Sequence, residues 1–70
     1  MEMIDVDSSN IQAIGYDPDS GTLNIAFKDG SEYEYYDVPQ HEYDSFYEAD
    51  SKGRYGHQHI YKIYRQHKIR

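Results

Sequence analysis

The sequence contains no cysteine and no tryptophan, and only two prolines among its 70 residues. Without cysteine, neither a disulfide nor a thiolate zinc site can stabilise the fold. No apolar run reaches the roughly 18 residues that a membrane-spanning helix needs, and residues 1–5 lack the apolar segment of a signal peptide. These absences predict a cytoplasmic protein that does not associate with a membrane.

Tyrosine, by contrast, is abundant: the chain has nine Tyr and two Phe. A chain of this length has room for one domain, which buries only about 60% of the surface that is exposed on unfolding. A tyrosine can bury its ring and keep its hydroxyl near water, so it suits a thin core. Because tyrosine is also enriched at binding surfaces, its abundance alone does not separate the two uses.

Charge is divided sharply along the chain. Residues 1–50 hold all 13 acidic residues and one base, Lys28, whereas residues 51–70 hold six bases and no acid. Two interpretations follow: the basic segment packs beside the acidic body, or it forms a surface for phosphate or an acidic partner. The isoelectric point near 4.9 argues against general affinity for nucleic acid.

The alternation of apolar residues predicts a leading segment and then strands. We expect residues 1–8 to be loosely ordered and residues 9–70 to form a single domain. The first predicted strand has apolar residues on both faces, with Ile11, Ala13 and Gly15 on one and Gln12, Ile14 and Tyr16 on the other. After a turn at residues 17–21, the second strand places Leu23, Ile25 and Phe27 on one face.

The turn that contains Asp29 and Gly30 allows two registers. A two-residue loop would pair Phe27 with Glu32 and so place carboxylates among apolar side chains. A three-residue loop with left-handed Gly30 pairs Ile25 with Tyr33 and Leu23 with Tyr35 instead. Since a slip of one residue moves every side chain to the other face, burial favours the longer loop. Tyr33 and Tyr35 are therefore predicted to point inward, and Tyr36 outward.

Two helices are predicted after this third strand. Pro39 suits a helix start, Asp37 can cap it, and an inward stripe of Val38, Tyr43, Phe46 and Ala49 predicts a helix over residues 39–50. Gly53 is then expected to be a left-handed cap. The second helix is predicted to begin between Tyr55 and His59, with Ile60, Ile63, Tyr64 and His67 on one face. The predicted fold is α+β, a three-stranded antiparallel meander with both helices packed on one face.

The sequence carries no recognisable catalytic equipment. It has no cysteine nucleophile, no nucleophile elbow and no phosphate-cradling glycine loop, so we predict that it is not an enzyme and uses no cofactor. His57 and His59, with His41, are the candidate metal ligands. In a helix, His57 and His59 would point roughly 200° apart and could not share an ion, so no metal site is predicted.

The ordered motifs resemble those of the KTSC domain family, which is named for the C-terminus of some lysyl-tRNA synthetases and also occurs as small separate proteins. The matching residues extend through nearly the whole chain: Ser8-Ser9-Asn10-Ile11, Ile14-Gly15-Tyr16-Asp17, Leu23, Ile25, Phe27, Gly30, Tyr33, Tyr35, Val38-Pro39, Tyr43, Ala49, Ser51, Gly53, Tyr55, Ile60 and Tyr64. The resemblance implies a compact domain without an established activity. It also implies a role with nucleic acid, by analogy with the tRNA synthetases.

These observations support two hypotheses of function. In the first, a basic C-terminal helix binds RNA or another nucleic acid. The candidate contacts are Arg54, Lys62, Arg65 and Lys68 for phosphate, and Tyr36 and Tyr55 for base stacking. In the second, the domain is a protein-interaction module, because a net charge of −6 is unusual for an RNA-binding protein. We expect a monomer or a weak homodimer.

Overall fold

The computed structural model describes residues 2–70, which form one five-stranded antiparallel sheet and two helices. The elements follow the chain in this order: β1 (Ile4–Asp5), β2 (Ile11–Asp17), β3 (Thr22–Phe27), β4 (Glu32–Tyr35), α1 (Gln40–Glu48), α2 (Lys52–His59) and β5 (Gln66–Lys68). The strands lie in the sheet in the same order, so β1 and β5 are the edges. The α+β class is confirmed, but the predicted sheet of three strands is wrong because β1 and β5 extend it.

Both helices pack against one face of the sheet, which we call the inner face. On it, Ile14 lies opposite Ile25, and Tyr16 lies opposite Leu23. The inner face and the helices share a buried core of Ile11, Ile14, Leu23, Ile25, Tyr35, Val38, Phe46 and Ile60. Burial of these apolar side chains is the main favourable term in the folding of the domain.

The predicted faces of β2 are wrong at one position. The register shifts between Ile11 and Ala13, which leaves Gln12 as an extra residue in a β-bulge. Because of the bulge, Ile11 joins Ile14 on the inner face and is fully buried. Without the bulge, strict alternation would place two isoleucines three positions apart on opposite faces.

The predicted register of the third strand is confirmed. Ile25 pairs with Tyr33 and Leu23 with Tyr35, and Gly30 has a positive φ of 96°. Tyr35 is 3% exposed, and Tyr33 packs against the core. The rings therefore turn inward, because the alternative register would bury carboxylates in their place.

The first helix lies close to its predicted position. It begins at Gln40 after Pro39 and buries Phe46 completely. Tyr43 stacks on Tyr16, with ring centroids 4.7 Å apart. Asp37 is not the cap that was predicted: it adopts a left-handed φ of 58° and redirects the chain from the sheet toward the helix.

The second predicted helix is wrong in both position and extent. The helix α2 begins at Lys52, where the Ser51 side chain accepts a hydrogen bond from the Arg54 N–H, and it ends at His59. Gly53 is therefore inside the helix rather than a cap. Residues 60–64 form turns, Ile63 is 63% exposed, and the chain returns to the sheet as β5.

The pairing of β5 with β4 has a physical reason that the local hydrophobic periodicity does not indicate. The strand β4 would otherwise be an edge with unpaired backbone groups. Residues 65–70 satisfy them: the Tyr36 N–H donates to the Arg65 carbonyl at 2.9 Å, and the Glu32 N–H donates to the Arg70 carbonyl at 3.0 Å.

The leading segment also contributes to the sheet, since Ile4 pairs with Ile14. No helix in the described part of the chain has the length and apolar composition to cross a membrane.

Candidate interaction surface

The four basic residues predicted to contact phosphate do not share a helix. Arg54 lies on α2, Lys62 lies in the turns after it, Arg65 precedes β5, and Lys68 belongs to β5. The basic C-terminal helix on which the nucleic-acid hypothesis placed them is absent, because residues 66–68 are extended. Their charge is therefore distributed over several elements.

Tyr36 and Arg65 lie together at the end of β4, next to two acidic side chains. The Arg65 guanidinium lies 5.7 Å from the centre of the Tyr36 ring and 3.5 Å from the Asp37 carboxylate. The Tyr36 hydroxyl donates to Glu34 at 2.9 Å. This hydrogen bond raises the pKa of Tyr36, because the phenolate would face the Glu34 carboxylate. Two acidic side chains thus adjoin the predicted stacking residue.

Tyr55 lies on α2 and faces α1. Its ring is 5.9 Å from that of Phe46 and 4.5 Å from that of His59, and its hydroxyl donates to Glu42. The same carboxylate accepts the Tyr64 hydroxyl at 3.1 Å. Desolvation, followed by this hydrogen bond, raises the pKa of Tyr64 to about 12. Tyr55 therefore joins the two helices and the following turn through Glu42.

The candidate metal ligands on α2 pack on aromatic rings. His57 meets Tyr61 edge to face, with ring centroids 4.9 Å apart, and His59 lies on Tyr55. Both side chains also remain largely exposed to solvent. Their positions are explained by these aromatic contacts.

The opposite face of the sheet, which we call the outer face, is the one predicted to carry Glu32, Glu34 and Tyr36. Its register places small residues at the centre: Ala13 pairs with Ala26, and Gly15 pairs with Asn24. These four residues form what we call the floor. Ala13 and Asn24 are only 6% and 9% exposed, although both helices pack on the inner face. The sequence indicates this floor through Asn24 and Ala26 of β3, the small and polar residues that alternate with Leu23, Ile25 and Phe27.

Longer side chains stand beside the floor, and most of them are acidic. On β4, Glu32 pairs with Ala26 and Glu34 pairs with Asn24. On the other side, Asp5 pairs with Ala13, and Asp17 ends β2 on the same face. Glu32 is bridged by Arg70, whereas Glu34, Asp5 and Asp17 have no ion pair among residues 2–70. The outer face is therefore a recessed floor flanked by acidic side chains, and beyond Glu34 the strand β5 places His67 on the same face.

Asn24 is the polar member of the floor. Its Nδ2 donates to Glu32 Oε2 at 3.1 Å. Its Oδ1 is buried and accepts no hydrogen bond from the residues described. A buried acceptor without a donor is uncommon in folded proteins and marks this position as unusual.

Comparisons with known proteins agree with the fold. The KTSC domain family matches residues 7–64. The crystal structure of a KTSC domain protein from Yersinia pestis superposes with a TM-score of 0.93 at 38% identity, over 99% of this chain and 97% of that one.

Two relatives are similar in sequence. A protein of Tsukamurella paurometabola is 44% identical over 50 residues, which are 71% of this chain and 75% of the relative. An uncharacterized protein of Stutzerimonas stutzeri is 36% identical over 58 residues, which are 83% and 82% of the two chains. On this evidence, the chain belongs to the KTSC domain family.

Proposed function

We propose that this domain is a non-catalytic binding module and that the outer face of its sheet binds a positively charged segment of another polypeptide. The observation that carries the proposal is the floor of small residues between acidic side chains on a face that neither helix covers. The face is not packed against either helix, and acidic side chains flank its floor.

Shape supports the proposal first. Gly15, Ala13 and Ala26 have little or no side chain of their own, so the floor is recessed and an incoming chain would lie between the longer side chains that flank it. Glu34 on one side and Asp5 on the other rise above this floor and would flank the segment. A segment lying along the strands would thus meet carboxylates on both sides.

Charge supports the proposal second. Three carboxylates of the outer face lack an ion-pair partner among residues 2–70, and the whole chain carries a net charge of −6. Complementary charge accelerates association and rejects partners of the wrong sign. Nucleic acid would be repelled at this face, because its phosphates carry the same sign as Glu34, Asp5 and Asp17.

The nucleic-acid hypothesis stays a prediction that the same experiment tests. Arg54, Lys62 and Lys68 have no ion pair among the described residues, but they lie on different elements. Arg65, the fourth candidate, lies 3.5 Å from Asp37 in an ion pair that is largely exposed to solvent. The geometry therefore favours a protein partner over RNA.

The test is a titration of ¹⁵N-labelled protein at low salt with an arginine–glycine oligopeptide and, separately, with a tRNA pool. We expect the peptide to shift the backbone amide signals of Ala13, Gly15 and Ala26. Peptide shifts confined to the helices, or no shifts at all, would contradict the proposal. If tRNA binds instead and moves Arg54, Lys62 and Lys68, the nucleic-acid hypothesis is supported in its place.

A pair of charge reversals tests the electrostatic part. Glu34 lies on the outer face, and Glu48 lies exposed on α1, so Glu34→Lys and Glu48→Lys change the net charge equally. A unit charge at 4 Å contributes about 1 kcal/mol in water, so reversal costs about 2 kcal/mol before screening. We expect the peptide to bind Glu34→Lys about tenfold more weakly and Glu48→Lys nearly normally. Equal losses would show that only the net charge matters.

A further inference from the structure

Asn24 is buried on the outer face, and only the nitrogen of its side-chain amide makes a hydrogen bond. The residue is 9% exposed, and its Nδ2 group donates to Glu32. The Oδ1 atom has no donor among residues 2–70. An amide carries two donors and one acceptor oxygen. The Glu32 carboxylate accepts only, so the NH₂ group must face it and the oxygen is the atom left without a partner.

The neighbours of Asn24 define what kind of donor would fit. Glu34 lies directly opposite on β4 and Gly15 directly opposite on β2. Side chains in such cross-strand positions have Cβ atoms about 4.5–5.5 Å apart. One Glu34 oxygen accepts the Tyr36 hydroxyl, and the other accepts no hydrogen bond from the described residues. Two acceptors therefore lie on neighbouring strands, next to Gly15, which has no side chain.

We propose that these two acceptors, Asn24 Oδ1 and the Glu34 carboxylate, bind the guanidinium group of an arginine in the partner segment. This inference rests on the proposed function and narrows the partner from a cationic segment to one that contains arginine. A guanidinium is planar, always charged and has five N–H donors arranged as a fork. It can donate to the amide oxygen and the carboxylate together while its plane lies over Gly15.

Lysine would be a poorer ligand at this position. Its ammonium is a compact, strongly hydrated charge that suits a single carboxylate and lacks the planar fork. The two acceptors therefore discriminate by geometry, whereas the acidic side chains attract either residue. Loss of Asn24 should remove the preference for arginine and leave the attraction to positive charge.

Two matched oligopeptides test the inference, one of arginine and glycine and the other of lysine and glycine. The chain has only two asparagines, Asn10 and Asn24, so their side-chain amide signals can be assigned readily. Asn10 is exposed before β2 and serves as the internal control. We expect the arginine peptide to shift the Asn24 side-chain signals, the lysine peptide to shift them much less, and neither to move those of Asn10.

Asn24→Ala should weaken binding of the arginine peptide about tenfold and binding of the lysine peptide less than about twofold. The reason is that a hydrogen bond to a charged group is lost only with arginine. Asn24→Thr keeps an oxygen acceptor and suits a strand, so it should recover part of the difference. Equal losses for the two peptides, or no loss for either, would overturn the inference. If neither peptide moves the amides of Ala13 and Gly15, the proposed function itself fails.

Discussion

Gly56 of α2 offers a sharp test of how the helix meets the turn that follows it. A Cβ atom built on Gly56 would contact Cζ of Tyr61 and lie 2.5 Å from its hydroxyl oxygen and 2.6 Å from Cε1. Carbon atoms in ordinary contact are about 3.5–4.0 Å apart. The Tyr61 ring would therefore have to move by about 1 Å in a Gly56→Ala variant.

The ring has little freedom to make that movement. Tyr61 stacks on Tyr35 at 6.0 Å and meets Phe27 at 5.9 Å, while His57 lies on its other side. Overpacking of this kind costs about 1–3 kcal/mol, and each displaced aromatic pair adds about 0.5–1.5 kcal/mol. Alanine gains about 1 kcal/mol over glycine inside a helix. We expect Gly56→Ala to lower the free energy of unfolding by about 1–3 kcal/mol.

Gly53 supplies the matched control in the same helix. A Cβ there would lie 2.9 Å from Asn10 Oδ1, and its next contacts are at 3.6 and 3.7 Å. Because the exposed Asn10 side chain can rotate away, Gly53→Ala should be neutral or stabilising by up to about 1 kcal/mol. Urea unfolding followed by circular dichroism measures both variants. The steric argument is refuted if Gly56→Ala is as stable as the wild type, or costs the same after Tyr61→Ala has removed the ring.

Three further predictions concern stability. Phe46 is fully buried, so Phe46→Ala should lower the free energy of unfolding by about 3–5 kcal/mol. Such a loss is enough to abolish the cooperative urea transition of so small a domain. A loss below about 1 kcal/mol would contradict the assigned core. Asp37 has a φ of 58°, so Asp37→Val should lower the free energy of unfolding by about 1–2 kcal/mol while Asp37→Gly does not; equal stabilities would refute this conformation. The pKa of Tyr64 is raised from 10.0 to about 12, so its contribution is complete below pH 10 and is lost as the pH rises toward 12. Urea midpoints across that range should fall less steeply in Tyr64→Phe, and an unchanged slope would exclude Tyr64 as a contributor.

Local patterns were sufficient for the centre of the fold. The alternation of Leu23, Ile25 and Phe27 predicted β3, and the burial of Tyr33 and Tyr35 selected the register of β4. Pro39 and the stripe that contains Phe46 predicted α1 within one or two residues. In each case, the decisive interactions join residues that are close in sequence, so the pattern of residue types already contains the information.

The tertiary structure alone decided the C-terminal segment, the bulge and the outer face. The spacing of Ile60, Ile63 and Tyr64 is typical of a helix, yet β4 needed a partner for its backbone, and residues 65–70 supplied one across a long separation in sequence. The acidic side chains beside the floor come from β1, β2 and β4, which meet only when the sheet forms. Local patterns in the sequence therefore predict β2, β3, β4, α1 and the class of fold. The pairing at the sheet edge and the candidate site depend on contacts between residues that are distant in sequence. The local hydrophobic periodicity does not indicate such contacts.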